Sequence, residues 1–453
     1  MKLKLVLNVI ITMVLILNIQ TARSAGMDKP RNSVNIDAGM KASVVEDINK
    51  LLMDQYISLD TAQKLAAYLL QRLAGGGYDQ MNDPEAFASA LTEDLRRVSQ
   101  DNHFYVAYNP AQADLVKAKE SLSDQEREEA GKKEKETDRL INFGFTKLER
   151  LPGNIGLLEL SFFCNPEHAG ETAVAAMAFL ANTDAVIIDL RNNHGGWPSM
   201  VQLLCSYFIK GGREGRTHLN SFERRYDNSL EQYWTMAYVP GQRMYEKDLY
   251  ILTSKQTASG AEEFTYNMKN LKRATIIGET SRGAAHPIDQ KIVQNNFIIN
   301  LPIGRPVNPI SKTNWEKTGI NAEIAVPADQ ALEKAHLMAL MRLLPKAGEE
   351  QKYHLNWAID GLKAQFEPVK VDKSILKKYA GDYGERKIRL KNGELFYQRT
   401  GPSYKLVPMT KTIFAVEGLP SFRIEFIADS DGPANQLVGL YDDGLKDPSR
   451  RTR

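Results

Sequence analysis

The stretch Ala185-Val186-Ile187-Ile188-Asp189-Leu190-Arg191-Asn192-Asn193-His194-Gly195-Gly196 decides the fold class. Its first half is a continuous apolar run, as expected of a strand buried on both faces of a sheet. Its second half ends in paired glycines. Glycine allows close backbone approach and unusual dihedrals, which an oxyanion-binding turn needs. Asp189 and Arg191 are placed to pair and brace that turn, although an ordinary strand-to-helix loop has the same outline. Neither G-x-G-x-x-G nor G-x-x-x-x-G-K is present, so a phosphate loop is not indicated. Outward from this stretch, the pattern predicts a helix over 198–209, a strand over 249–252, a helix over 260–271 and a strand over 274–278. Residues 289–301 read as a hairpin turning near Asn295-Asn296, and 329–344 as a helix. Strand–helix–strand alternation implies a sheet covered by helices.

The second informative segment is Thr257-Ala258-Ser259-Gly260-Ala261-Glu262-Glu263, after one predicted strand and at the mouth of a helix. A helix start leaves backbone N–H groups unpaired and carries partial positive charge. An oxyanion beside Ser259 could be met by the Gly260 amide. Serine before a helix is also an ordinary N-cap. Of seven histidines, His103 in Asp101-Asn102-His103 lies between a predicted helix and a strand. Histidine is suited to base catalysis at neutral pH. His194, in the glycine turn, competes with it, and His286 also lies near a Gly-rich turn.

Residues 43–98 read as helices, with Ser43 and Glu46 as a capping box, Asp60 capping a second helix and Asp83-Pro84 opening a third. Residues 111–140 are crowded with charge and read as a solvated helix or linker. From about 373, short alternating runs punctuated by Asn392-Gly393, Gly401-Pro402 and Asp431-Gly432-Pro433 predict a small antiparallel β domain.

Lys2 and Lys4, the apolar run Leu5–Ile19 and the small residues around Ala25 read as a cleaved export signal, with an uncleaved anchor as the alternative. A periplasmic or secreted location follows, with no stable membrane association after cleavage. Loss of Lys2, Lys4 and Arg23 takes the formal charge from +2 to −1. That balance argues against nucleic acid as a partner. The two cysteines, Cys164 and Cys205, are compatible with a disulfide or with buried thiols, and the sequence leaves the choice open. No short-range ligand spacing accompanies them, so neither a metal nor a cofactor is expected.

Together these segments resemble the tail-specific (C-terminal processing), S41-type serine peptidase superfamily. The similarity is to the branch with the tricorn protease core and the interphotoreceptor retinoid-binding protein repeats. It covers roughly residues 40–345. It rests on Thr92-Glu93-Asp94-Leu95 leading to Asp101-Asn102-His103, on the Asp189–Gly196 and Thr257–Glu262 segments, on Gly278-Glu279-Thr280-Ser281-Arg282-Gly283, and on Asn314-Trp315-Glu316-Lys317-Thr318-Gly319-Ile320. The resemblance implies a ClpP/crotonase-like α/β catalytic domain with an N-terminal helical domain and a C-terminal antiparallel β domain. The expected division is a signal peptide at 1–25, a helical domain at 26–110 and a charged linker at 111–142. A catalytic domain at 143–345, a connector at 346–372 and the β domain at 373–453 follow. No inserted segment is large enough for the PDZ module of the processing branch.

The resemblance also assigns roles. Ser259 matches the nucleophile, His103 the base, and Glu316 the acid that orients the base directly or through an intermediate. The amides of Gly195 or Gly196 and of Gly260 match the oxyanion donors. Where the processing branch carries the lysine of a Ser–Lys dyad, this chain has Ala284, which disfavours that mechanism. Where the tricorn core has a serine before its histidine, this chain has Asn102, placed with Asp189 and Arg191 as a supporting residue. The expected activity is endopeptidase acyl transfer on an extended peptide or protein substrate. The alternatives are a non-catalytic, retinoid-like hydrophobic-ligand carrier and an ester or lactam hydrolase. The oligomeric state stays open.

Overall fold

A computed structural model describes residues 34–211, 215–294, 296–366, 369–429 and 432–452. The leader read over 1–25 and Asn295 of the hairpin turn lie outside them. The chain divides into two compact units. The first comprises residues up to Leu148, Leu157–Asn182 and Ile188–Ala331; the second comprises Glu149–Gly156, Thr183–Ile187 and Leu332–Arg453.

The first unit opens with three helices, α1 (Ala38–Gln55), α2 (Leu59–Ala74) and α3 (Pro84–Ser99). The cap of α1 is Asp37, whose carboxylate accepts from the Met40 amide at 2.8 Å, so Ser43 and Glu46 lie inside the helix. Ser58, one residue before the helix, caps α2, and Asp60 belongs to its first turn. Asp83 caps α3 as its Asp-Pro start predicts, accepting from Ala86 at 2.8 Å. The apolar faces bury Val44, Ile48, Leu52, Leu65, Phe87 and Leu91 completely. The core they build continues into Phe104 and Val106 and into Val293, Phe297, Ile299 and Leu301.

Those later residues belong to a three-stranded antiparallel sheet of order β1-β10-β9. Here β1 is Tyr105–Tyr108, β9 is Ile288–Val293 and β10 is Phe297–Pro302. Tyr105 pairs with Asn300, and Asn300 pairs with Gln290 on its other side. Both outer strands are antiparallel to β10 and therefore run parallel to each other. Their starting ends lie at the same edge of the sheet, which brings the residues before β1 to those before β9. Between β1 and the central sheet, the charged stretch forms α4 (Pro110–Ser121) and α5 (Asp124–Leu140), and α5 buries none of its residues.

The central sheet has strand order β12-β8-β7-β4-β3-β2. It comprises β2 (Phe145–Leu151), β3 (Ile155–Leu160), β4 (Ala185–Asp189), β7 (Asp248–Thr253), β8 (Thr275–Gly278) and β12 (Ile324–Ala325). All five residues of β4 are buried, as its unbroken apolar run requires. Strands β7, β8 and β12 are parallel, with Tyr250 opposite Thr275 and Ile324 opposite Ile277. The helices are α6 (Pro166–Leu180), α7 (Pro198–Phe208) and α8 (Gly260–Asn270). A hairpin over residues the periodicity did not mark, β5 (His218–Arg224) and β6 (Ser229–Trp234), pairs with β11 (Arg305–Val307). Cys164 and Cys205 are both buried, free thiols.

The second unit carries α9 (Ala331–Leu343), α10 (Glu349–Phe366), α11 (Lys373–Tyr379) and strands β13 (Gly381–Tyr383) through β20 (Lys446–Arg450). Helix α10 occupies most of the stretch read as a connector. The eight strands pair in chain order, each antiparallel to the next, and enclose Tyr383, Ile388, Phe414, Ile424 and Leu437. Just past β20, the Thr452 amide donates to the Asp382 carbonyl of β13 at 2.8 Å, drawing the sheet toward a barrel. The fold class is thus the one expected: helical lead-in, α/β core and antiparallel β module. Among the described residues, no helix is long and apolar enough to cross a membrane.

Because α3 delivers the chain to Asp101 and His103, its cap is a test of local stability. Asp83→Ala is expected to lower unfolding free energy by about 1 kcal/mol, read from urea denaturation. An unchanged midpoint would show that the Asp83–Ala86 bond contributes nothing.

Candidate active site

Ser259 stands between β7 and α8 with φ 54° and ψ −121°, a strained conformation for a side chain of any size. Local hydrogen bonds hold it there. The Thr257 hydroxyl donates to the Leu190 carbonyl at 2.8 Å and accepts from the Ser254 amide at 2.9 Å. The Ala258 amide donates to the Asn193 carbonyl at 3.1 Å. The elbow after β7 is therefore tied to the glycine turn after β4.

The glycine turn lies directly against the serine. A Cβ on Gly195 (φ 106°) would sit 2.7 Å from Ser259 Cβ and 3.0 Å from Oγ. A Cβ on Gly196 (φ 138°) would strike the Phe163 carbonyl oxygen at 2.2 Å. The Gly195 amide already donates to Asn193 Oδ1 at 2.8 Å, while the Asn193 amide group donates to the Leu160 carbonyl at 2.8 Å. Of the three glycines read as oxyanion donors, only Gly196 and Gly260 keep amides without a protein partner among the described residues. A Cβ built on Gly260 lies 3.0 Å from the Gly196 nitrogen, so the two backbones are adjacent. Asp189 and Arg191 form the expected brace: the guanidinium donates to both carboxylate oxygens, at 2.6 Å from Nη2 and 2.9 Å from Nε. Arg191 Nη1 also donates to the Ala328 carbonyl at 2.6 Å.

His103 is two residues before β1. Its Nδ1 lies 2.8 Å from Asp101 Oδ1, which also accepts the His103 amide at 3.0 Å. Glu316 Oε1 is farther, at 3.7 Å from the same nitrogen. The acid in direct contact with the candidate base is therefore Asp101, two residues away in sequence, and not Glu316. Asn102, weighed as a relay, is exposed. The second Asp101 oxygen faces His286 Nδ1 at 3.1 Å and accepts from the Tyr56 hydroxyl at 3.4 Å. Two imidazoles thus share one buried carboxylate, their ring centroids 5.7 Å apart.

Burial pulls His103 toward neutrality, but the hydrogen bond and charge of Asp101, with Glu316 and Glu262 adding charge, outweigh it and hold the imidazole above its ordinary value. Burial alone would raise the Asp101 carboxyl. Hydrogen bonds from His103 and His286 reverse that and hold it well below the usual carboxylate range. His194, the competing histidine of the glycine turn, is pushed down by burial and by the Arg282 charge.

The serine and the imidazoles are connected through backbone. Glu262 accepts from the Ser259 amide at 3.0 Å, Gly283 at 2.6 Å, Ala284 at 2.9 Å and the Ser281 hydroxyl at 2.6 Å. The next two amides, of Ala285 and His286, donate to Glu316 Oε2 at 2.8 and 3.3 Å. No hydrogen bond joins Ser259 Oγ to either imidazole among the described residues.

Residues 154–326 match the model of Peptidase family S41, and residues 27–147 match that of the N-terminal domain of S41 peptidases in eukaryotic IRBP. Together the matches span well over half of the 453 residues. The chain belongs to the S41 peptidase family. Solved structures that this S41 chain is similar to include a photosystem II D1 C-terminal processing protease, with 19% identity, 39% of this chain and 43% of that one covered, and a TM-score of 0.33. A candidate peptidase from Parabacteroides merdae shows 14% identity over 66% of this chain and 97% of its own, with a TM-score of 0.48. The tricorn protease shows 11% identity over 72% and 37%, with a TM-score of 0.40. The S41 chain therefore spans less than half of the processing protease's length.

Glu263, the next residue on α8, is a further buried carboxyl; burial, with the Glu231 charge adding, raises it from 4.5 to about 8. The folded protein then holds a proton that the unfolded chain has lost, so stability falls as pH rises from about 4.5 to about 8 and levels off beyond. Glu263→Gln removes this group. The variant should gain on the parent by roughly 1.4 kcal/mol per pH unit across that window, measured by urea unfolding at several pH values. Parallel pH profiles would contradict the assignment.

Proposed function

We propose that this S41 chain is an exported endopeptidase that cleaves extended peptide segments by acyl transfer through Ser259, with His103 as general base and Asp101 orienting it. The observation that carries the reading is the strained Ser259 packed against Gly195, beside the adjacent Gly196 and Gly260, whose amides have no protein partner among the described residues. A tetrahedral intermediate formed at Ser259 needs donors where its oxygen becomes charged, and one such donor is typically worth about 3 kcal/mol.

In this mechanism Asp101 accepts the Nδ1–H of His103, which leaves the Nε2 lone pair to take the Ser259 proton. Oγ attacks the scissile carbonyl, and its oxygen moves toward the Gly196 and Gly260 amides. His103 returns the proton to the leaving amine, and water then resolves the acyl-enzyme. The Ser259–His103 hydrogen bond is one that substrate binding completes, as catalytic contacts often tighten only in the Michaelis complex. Glu316 acts at one remove: it grips the amides before β9 and adds negative charge beside His103. Substrate adds as a strand to a sheet edge, and the apolar leader directs export.

Ser259→Ala should abolish both peptide hydrolysis and labelling by a fluorophosphonate probe. Labelling that persists in this variant would remove Ser259 as nucleophile. Asp101→Asn should lower kcat by about 10²- to 10⁴-fold, and Glu316→Gln by less. The reverse order would assign the orienting role to Glu316.

A further inference from the structure

Asp101, His103, His286 and Glu316 each present one ligand atom, and these four atoms lie within 4.8 Å of one another. The imidazole nitrogens are both Nδ1. Each is flanked by both carboxylates, at 2.8 and 3.7 Å for His103 and at 3.1 and 3.9 Å for His286. A tetrahedral zinc site with N and O ligands at 2.0–2.2 Å has neighbouring ligand atoms about 3.4 Å apart. The His–carboxylate separations bracket that value, and a pair at the outer limit of 4.8 Å reaches it with shifts of roughly 0.7 Å per atom.

Charge favours the same occupant. Asp101 is buried and the Glu316 side chain is only 11% exposed, yet every ion pair found for either carboxylate is with His103 or His286. With both imidazoles neutral the cluster carries two negative charges, which a divalent cation cancels. Glu316 Oε1 makes no hydrogen bond among the described residues, while Oε2 is held by two backbone amides. One oxygen is anchored and the other is available as a ligand.

We infer that this cluster is a binding site for a divalent transition-metal ion of the zinc class, held by Nδ1 of His103 and His286 and by carboxylate oxygens of Asp101 and Glu316. Binding displaces the protons that the Nδ1 atoms share with the carboxylates. It also has a functional consequence. A neutral imidazole coordinated through Nδ1 carries its remaining proton on Nε2. His103 then has no lone pair for the serine proton, so the metal-loaded protein is an inhibited state. The site itself stands on ligand geometry; the inhibition rests on the reading of His103 as base.

The two are separated by measuring binding without turnover. In the full-length Ser259→Ala protein stripped with a chelator, zinc chloride titrated calorimetrically should bind one ion per chain. Cobalt(II) should give the intense visible absorption of a four-coordinate site. His286→Ala in that background should weaken zinc binding at least 100-fold, with His286→Gln as the check if the alanine variant loses its circular dichroism. No binding at millimolar zinc, or binding indifferent to both substitutions, would overturn the site. In the Ser259 protein, zinc should suppress peptide hydrolysis and a chelator should restore it. One-site binding without suppression would leave the metal site standing and overturn His103 as the base.

Discussion

The Glu262 carboxylate accepts from the Ser259 amide, the Ser281 hydroxyl and the amides of Gly283 and Ala284. It sits in the first turn of α8, so it joins the helix that follows Ser259 to the segment running from β8 to β9. Burial raises the Glu262 carboxyl, and the four donors work against that by favouring the anion. Without those donors a buried carboxylate there would be strongly unfavourable. Without the carboxylate, three backbone amides and a hydroxyl would lose their partner beside the site. The requirement is mutual, and it fixes where residues 281–284 lie. Once Gly283 and Ala284 are held, the next two amides fall on Glu316, and His286 is delivered to Asp101.

The second constraint is the strand order β1-β10-β9. Because β1 and β9 flank β10 and run the same way, the residues before each strand reach one edge. His103 and His286, separated by 183 positions, share Asp101 through this pairing. The pairing rests in turn on the core between α1–α3 and the β9–β10 hairpin. The helical lead-in is therefore part of the candidate site: its packing carries the candidate base to the α/β core that carries Ser259.

Much of this was legible in the sequence because it follows from local rules. The apolar run of β4, the Asp83-Pro84 helix start and the alternating strands after residue 373 are periodicity and capping signals. So was the Asp189–Arg191 brace, since two residues' separation places the guanidinium back on the carboxylate. Caps with several eligible residues were misplaced: Asp37 and Ser58 compete with Ser43 and Asp60, and only the three-dimensional entry of the chain decides. The contact of Asp101 with His103 was also missed, although Asp101 stands two residues before it. Its contact with the imidazole is a short-range feature, but its other oxygen is held by Tyr56 and His286, which are distant in the sequence. No spacing rule finds a four-ligand cluster drawn from residues 101, 103, 286 and 316. The β5–β6 hairpin escaped because its burial pattern does not alternate cleanly.

The alanine at position 284 links these points. Its amide donates to Glu262 and its methyl cannot take up a proton, so this position supplies no amine to act as a base. The candidate proton acceptor, His103, comes instead from the segment before β1, which the β1-β10-β9 pairing brings to the same edge as the segment before β9. A lysine base would need only to lose its proton in a dry pocket. An imidazole held between two carboxylates instead keeps its proton more tightly, and the same negative surroundings that orient it also attract cations. A base delivered by the helical lead-in, rather than by the segment of Ala284, would tie the proposed catalysis to the packing of a separate layer. It also creates the concentration of carboxylate and imidazole ligands in which a proton and a metal ion compete for the same nitrogen.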